Sequence, residues 1–412
     1  MPENAWANKR VSSSGRLLAL LLSAFGVFGL WAGCNAVLLA DLSRALDISF
    51  GSLGIALFAG AGASIVTMGP LGWIADRLGR ETFLTVVACA FGVGISGLAL
   101  AGSFTALIIV LVVLSSAAGL YDVGINAGAI DLERSSGHRR MSFLHAAYSG
   151  GAVAGALGAG ALLSAGVSYQ LVYLSLLVPL AAVTAAFVSA RFPSPGDAHG
   201  DARGDAHGEV ASDITEGTGV TGKDRAVAGR WDLYRSAPLL LIAAIATLGL
   251  LSEGQMGNWS GIYLRDSLGL LGGSGVAVFY GAMALGRVGT GWVVVRLGNR
   301  ATLLGVGLLT ASGMAVALAT TLPALVIGGF FVVGLAISGV VPIAFSVAGD
   351  LIPRRAGTAI SVVTTFGYAG FLLGPPTVGG LAELFDLRTA LGIIAVAGLA
   401  IFGLSLLLRR AA

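Results

Sequence analysis

Three ionisable side chains, Asp122, His145 and Glu253, lie inside long apolar stretches of this chain. Charge at bilayer depth is costly, so such groups usually face a cavity or a charged partner. A carboxyl group in apolar surroundings can gain and lose a proton near neutral pH. Asp122 and Glu253 are therefore candidates for coupling solute movement to a proton gradient, with a structural hydrogen bond or ion pair as the alternative. His145 is a third coupling candidate, with helix packing or gating as its alternative.

Other polar and aromatic side chains in the same stretches could bind a solute. Asp122 and Asn126 are one helical turn apart and share a helix face. Aromatic rings could stack on a sugar or another flat apolar face, and amides could bond to its hydroxyl groups. The candidate solute-binding residues are Trp31, Asn35, Tyr121, Asn126, Tyr148, Gln255, Asn258, Trp259 and Tyr280. Arg287 is a further charge inside an apolar stretch, and it needs a partner.

The composition of the chain is that of a membrane protein. The chain has 412 residues, of which 56% are hydrophobic and 11% charged, and its mean hydropathy is +0.89. Soluble proteins carry roughly 25% charged residues, and a bilayer-spanning helix needs about 20 mostly apolar ones. The sequence contains twelve such runs. It therefore predicts an all-α membrane protein with twelve transmembrane helices.

The same residues argue against several classes of function. Cysteine and histidine are too few and too scattered for a metal centre, and the chain lacks a nucleophile motif and a phosphate-binding loop. We expect no metal, no cofactor and no enzymatic activity. An ion-channel filter signature is also absent, and the basic residues do not gather on one face as they do in nucleic-acid-binding proteins. The expected partners are a small solute, protons and the lipid bilayer, with the protein as a monomer.

A short basic turn occurs twice in the chain. The pattern G-W-x-x-x-R-L-G begins at Gly72 and again at Gly291, 219 residues later, each time between two apolar runs. This spacing indicates a duplicated unit of several membrane helices, and halves that move against each other are typical of secondary transporters. The predicted organisation is a tail (1–16), a six-helix bundle (17–190), a disordered linker (191–236), a second six-helix bundle (237–408) and a tail (409–412).

The distribution of positive charge predicts the orientation. Of the 24 Lys and Arg residues, 20 fall on the side that holds both termini and the linker. Cytoplasmic segments carry this excess, so both termini and the linker are predicted to be cytoplasmic, in a protein of the inner membrane. The linker is polar and contains near-repeats of Gly-Asp-Ala, a composition that cannot bury enough apolar surface to fold.

The first copy of the turn resembles the signature turn between the second and third helices of the major facilitator superfamily, G-x-x-x-D-R-x-G-R-[RK]. The resemblance covers the whole chain and implies two pseudo-symmetric six-helix bundles. It also implies a cytoplasmic charge cluster that holds the halves together when the transporter is open to the outside. The gate residues so implied are Gly72, Asp76, Arg77, Gly79, Arg80, Arg296 and Arg300. A simple topology-setting turn is the alternative; it explains the arginines but not Asp76 or the glycines.

Within the superfamily, the chain is most similar to the sugar-permease branch typified by fucose permease. The resemblance is carried by Asp122-x-x-x-Asn126, by His145-x-x-Tyr148 and by Asn258-Trp259-Ser260. The family places helices one, four and seven around a central cavity, which is where these residues are expected to meet. The chain departs from the family pattern at three positions, namely Asn35 where the branch has an acid, Glu81 where the motif has a base, and Val295 where the second copy lacks the acid.

The predicted function is secondary active transport of a small organic solute by alternating access, with proton-coupled uptake of a sugar or sugar-like compound. An antiporter that exports an amphipathic compound is the first alternative. A sensor that binds a solute without moving it is the second.

Overall fold

The computed structural model describes residues 3–136, 140–190, 192, 236–270, 273–352 and 355–408, with side chains omitted in 3–14 and 69–76 and at 134, 142, 356 and 357. The described part is helical throughout, without strands. Because lipid offers no hydrogen bonds, an apolar chain must satisfy its backbone groups internally, and a helix does so within one segment. The predicted linker and the last four residues lie outside the described part, apart from residues 192 and 236.

The helices follow the predicted apolar runs. The first half contains α1 (Glu3–Ala45), α2 (Phe50–Leu78), α3 (Arg80–Leu100), α4 (Phe104–Ser136), α5 (Met141–Ser164), α6 (Tyr169–Ser175) and α7 (Leu177–Ser189). The second half contains α8 (Ala237–Ile262), a π-helical turn (Tyr263–Ser267), α9 (Gly273–Ala319), α10 (Pro323–Ile337), α11 (Val340–Leu351), α12 (Ala356–Leu384) and α13 (Leu387–Leu407).

Eleven described stretches are long and apolar enough to cross a membrane, and one of them makes two crossings. The 47 residues of α9 would extend about 70 Å as one helix, more than twice the thickness of the hydrocarbon core. Its backbone leaves helical geometry at Gly298, where φ is 78°. Gly79, at the same place in the first copy of the turn, has φ of 81°. The prediction of twelve transmembrane helices in two related halves is confirmed.

Two predicted spans are broken in the middle. The sixth span divides into α6 and α7 at Leu176, and the tenth divides into α10 and α11 at Ser338 and Gly339. A proline follows each break, at Pro179 and Pro342. Proline has no N–H to donate to the carbonyl four residues earlier, so the helix is interrupted there and begins again.

The connections between helices define two sides of the membrane. We call the side on which α7 ends and α8 begins the linker side, and the side of residues 46–49, 268–270 and 385–386 the far side. Contacts between the two halves lie mostly toward the far side. There α1 packs on α8, α2 on α12, and α5 on α9.

Candidate functional site

An ion pair at the centre of the protein joins α8 and α9. Nη2 of Arg287 lies 3.2 Å from Oε1 of Glu253, and the two side chains are 29% and 23% exposed. The second nitrogen of the guanidinium, Nη1, donates to the hydroxyl of Ser149 on α5, 3.3 Å away. The partner that the sequence requires for Arg287 is therefore Glu253, and the same side chain connects the two halves.

Further polar groups surround this pair. Tyr148 lies within electrostatic range of Tyr280, Glu253, Arg287 and Asp122. Its position on α5, one residue before Ser149, brings the two halves together in one polar cluster.

Asp122 belongs to the same cluster but has a different kind of partner. Its carboxylate accepts a hydrogen bond of 2.9 Å from the side-chain amide of Asn126. Tyr368 on α12 lies within electrostatic range of both Asp122 and Glu253, and His145 lies within range of Arg287. Asp122 thus has a neutral amide as its hydrogen-bond partner among the described residues, whereas Glu253 has a cation.

Aromatic rings form a wall beside the cluster, which we call the aromatic wall (Phe28, Trp31, Phe91, Tyr121 and Tyr148). Phe28 stacks on Trp31 with ring centroids 5.7 Å apart, and it also contacts the rings of Tyr121 and Tyr148. The indole nitrogen of Trp31 is buried and has no hydrogen-bond acceptor among the described residues. Tyr121 is fully buried and donates to the carbonyl of Ala24 at 3.4 Å, so this member of the wall lies inside the helix packing.

Two predicted solute-binding residues lie in a different place. Gln255 and Trp259 are fully buried, and the indole N–H of Trp259 donates to the Gln255 side chain at 3.0 Å. The Trp259 ring packs edge-on against Phe50 of α2, with centroids 6.1 Å apart. Both residues are therefore part of the closed contact between the halves on the far side, outside the central cluster.

The remaining predicted residues lie apart as well. Asn35 accepts a hydrogen bond of 3.0 Å from the hydroxyl of Tyr173 on α6, which places it in the interior of the first half. Asn258 is half-buried on α8. The structure thus brings Asp122, Asn126, His145, Tyr148, Glu253, Tyr280 and Arg287 toward one centre, with Trp31 in the adjoining wall.

Close backbone contacts seal the far side. A Cβ atom on Gly54 of α2 would lie 2.6 Å from the carbonyl oxygen of Pro375 on α12. A Cβ atom on Gly273 of α9 would lie 2.5 Å from the carbonyl oxygen of Ala156 on α5. Gly261 of α8 has no room for a Cβ against Ala36. Small residues allow such approach of helices in lipid.

Charges add to this seal. Arg44 at the end of α1 pairs with Asp266 of the π-helical turn at 3.3 Å, and Arg265 of that turn pairs with Asp41 of α1 at 3.2 Å. In the first pair the arginine belongs to the first half of the chain, and in the second pair it belongs to the second half. The backbone N–H of Gly51 also donates to the carboxylate of Glu383, 2.9 Å away. The structure is therefore closed on the far side.

On the linker side, the first copy of the repeated turn is held within its own half. Arg80 pairs with Asp131 at the end of α4, with Nη2 and Oδ2 3.1 Å apart. Glu133, two residues further, accepts from the backbone N–H groups of Arg140 and Met141 at the start of α5. Arg77 is exposed and has an interaction partner. The side chains of the predicted gate residues Gly72 and Asp76 lie outside the described ones.

Several residues of the site carry little signal in the sequence. Ser149 and Tyr368 are common polar residues in glycine-rich helices, and only their neighbours in space single them out. Phe28 and Phe91 look like ordinary lipid-facing or core residues. Asp131 lies at a helix end, where an acid is unremarkable. Among the described residues, no three Cys, His, Asp or Glu side chains are grouped as a metal site.

Comparison with known proteins gives a consistent family. The chain matches the profile of the Major Facilitator Superfamily over residues 19–306 and 271–412. It is 29% identical to an uncharacterised MFS-type transporter of Yersinia pestis over 90% of this chain and 91% of the relative. It is 30% identical to an uncharacterised transporter of Sinorhizobium fredii over 89% of this chain and 90% of the relative. The membrane protein MosC of Rhizobium meliloti is 27% identical over 93% of this chain and 89% of its own length.

Solved structures share the fold. A mutant of the nucleoside transporter NupG superposes with a TM-score of 0.76 at 14% identity, covering 96% of this chain and all of that one. A bacterial homologue of the human lysosomal transporter Spinster, in an inward-facing and unoccupied conformation, superposes with a TM-score of 0.75 at 15% identity. That match covers 95% of this chain and 97% of the homologue.

Proposed function

The chain belongs to the Major Facilitator Superfamily, and on that premise we propose that it imports a small, hydroxyl-rich organic solute together with protons by alternating access. As a member it is a multi-pass membrane transporter and not an enzyme. The observation that carries the proposal is the central polar cluster, in which Arg287 of one half contacts Glu253 of its own half and Ser149 of the other. A group in this position changes its partners whenever the halves rock.

The charges of the cluster favour a neutral solute over an anionic one. Glu253 and Asp122 are two carboxylates, and Arg287 is the guanidinium beside them. Since Glu253 occupies one face of that guanidinium and Ser149 another, an anionic solute would have to displace a carboxylate in a site of low dielectric. Hydroxyl groups can instead bond to Tyr148, to Asn126 or to the free indole N–H of Trp31. A sugar or sugar-like ring can also stack on the aromatic wall.

We assign proton uptake to Asp122 and solute sensing to the Arg287–Glu253 pair. Protonation of Asp122 at Oδ2 leaves Oδ1 able to accept the hydrogen bond from the neutral amide of Asn126, whereas protonation of Glu253 would leave Arg287 as an unpaired charge. A proton on Asp122 can therefore be exchanged without disrupting the link between the halves. His145 lies between this carboxylate region and the linker side, as a positioning group near Arg287.

Reconstituted protein tests both assignments. Candidate neutral sugars, polyols and nucleosides are first screened by thermal shift on the purified protein, and hits are assayed in proteoliposomes with an imposed pH gradient. Asp122→Asn should abolish accumulation against a gradient and retain counterflow exchange of the same solute. Asp350→Asn, which changes an exposed acid away from the centre, is the matched control and should accumulate normally.

Three outcomes would contradict the proposal. Gradient-driven accumulation by Asp122→Asn would reject Asp122 as the proton acceptor. A solute that binds and is never moved, even downhill, would indicate a sensor. Accumulation driven by an opposite pH gradient, with the solute entering the proton-rich compartment as protons leave it, would indicate the antiport alternative, which the apolar rings of the aromatic wall favour for amphipathic compounds.

A further inference from the structure

The second copy of the repeated turn does not repeat the ion pair that the first copy forms. In the first half, Arg80 forms an ion pair with Asp131. In the second half, the position of Arg80 is held by Asn299, and Asp350, which is equivalent to Asp131, is exposed. Arg296 and Arg300 nevertheless remain, and neither takes part in an ion pair among the residues that the structure describes. The central mechanism does not account for these two cations.

The surroundings of Arg296 are those of a membrane boundary. Its guanidinium carbon lies 4.0 Å from the centroid of the Trp292 ring. Trp292 is 61% exposed and Val295 is 86% exposed, one turn apart on α9. Tryptophan is enriched at the level of lipid headgroups, where its ring meets both apolar and polar surroundings. Stacking on such a ring fixes the position of the flat guanidinium at the edge of the apolar surface.

Arg300 lies just beyond the break at Gly298, close to the end of α13. One of its terminal nitrogens donates to the carbonyl of Leu406, 3.2 Å away, while its Nε is buried and has no acceptor within the described part of the chain. Leu406 and Leu297 are both exposed apolar residues. Arg300 therefore has unused donor capacity beside a surface that faces lipid.

We propose that Arg296 and Arg300 bind the phosphate of an anionic phospholipid, with its acyl chains against Trp292 and Val295. Guanidinium groups bind phosphate oxygens through paired, charge-assisted hydrogen bonds, and basic pockets between membrane helices recognise anionic headgroups. Both arginines lie on the side that carries 20 of the 24 Lys and Arg residues, which is the predicted cytoplasmic side, and the anionic lipids of that leaflet supply the complementary negative charge. A lipid bound there would hold the end of α13 to the break in α9.

Tryptophan quenching tests this site in the full-length protein. The protein is reconstituted in nanodiscs of phosphatidylcholine that contain increasing fractions of acyl-brominated phosphatidylglycerol or, separately, acyl-brominated phosphatidylcholine. Subtracting the signal of Trp292→Phe isolates the contribution of Trp292 from the other five tryptophans. We expect half-maximal quenching at a fraction of phosphatidylglycerol about 25-fold lower than that of phosphatidylcholine, about fivefold for each of the two arginines.

The variants separate a specific site from general surface charge. Arg296→Gln should reduce the preference for phosphatidylglycerol about fivefold, as expected for one arginine near an anionic surface, and Arg296→Gln with Arg300→Gln should abolish it. Arg16→Gln removes one exposed arginine from the same side in the other half and should retain the preference. Equal quenching of Trp292 by both lipids in the protein with both arginines intact would overturn the proposal, and this comparison requires no arginine variant. An equal loss in Arg16→Gln would also overturn it, as would displacement of the lipid by millimolar inorganic phosphate.

Discussion

The central ion pair leads to a prediction about stability. Removing one of its two charges should lower the free energy of unfolding more than removing both. Glu253→Gln leaves Arg287 charged in a site of low dielectric, and Arg287→Gln leaves Glu253 charged there. The double variant leaves neither charge. We therefore expect the double variant to be more stable than either single variant.

The structure gives the magnitude. At 3.2 Å, the attraction between unit charges is about 5 kcal/mol at an effective dielectric constant of about 20, and desolvation offsets part of it. Removal of one partner from a buried pair costs about 3–5 kcal/mol. Since these side chains are 29% and 23% exposed, the lower figure of about 3 kcal/mol applies to each single variant. The double variant should lose about 1 kcal/mol, because two neutral amides can still bond to each other and to Ser149.

Thermal unfolding of the purified protein in detergent provides the measurement. Each single variant should melt about 5 °C below the wild type, and the double variant about 2 °C below it. Glu383→Gln, which changes a distant carboxylate on the far side, is the control and should add to Arg287→Gln without coupling. Additive losses in Glu253→Gln with Arg287→Gln would refute the ion pair as a stabilising unit.

Three further predictions concern the seal on the far side and the predicted gate at the repeated turn on the linker side. In Gly54→Ala the added Cβ would lie 2.6 Å from the Pro375 carbonyl oxygen, so α2 must move. This variant should increase labelling, by a reagent added on the far side, of a cysteine introduced at the centre. Gly289→Ala, with open space around it, should leave that labelling unchanged. Arg44→Gln should increase the same labelling by removing a link between the halves, and salt should reproduce part of its effect in the wild type. Asp76→Asn should slow transport severalfold and leave the solute affinity unchanged; normal turnover at normal surface expression would reject the gate role of this residue.

Much of the fold could be predicted from the sequence because lipid leaves few alternatives. Long apolar runs must become helices, and the repeated glycine turn marks the same break at Gly79 and at Gly298. The interruptions at Leu176 and Ser338 were not predicted. A proline two to four residues further on signals each of them, but the same residue elsewhere lies inside an unbroken helix, as Pro375 does in α12.

The site was harder to predict because apolar helices carry little information about which face is turned inward. Glu253 and Gln255 are two residues apart, so they lie on nearly opposite faces of α8. The structure accordingly has Glu253 in the central cluster and Gln255 in the far-side contact. The partner of Arg287 could not be read from the chain, since any of several acids on neighbouring helices would satisfy it. The narrower likeness to the fucose-permease branch stays a prediction.

The seal on the far side has a kinetic consequence. It consists of backbone packed on backbone at Gly54, Gly261 and Gly273, together with paired charges. Backbone contacts cannot open through a change of side-chain rotamer, so the helices must separate as rigid bodies before that side can open. In the proposed transport cycle, separation of these helices is therefore expected to limit turnover.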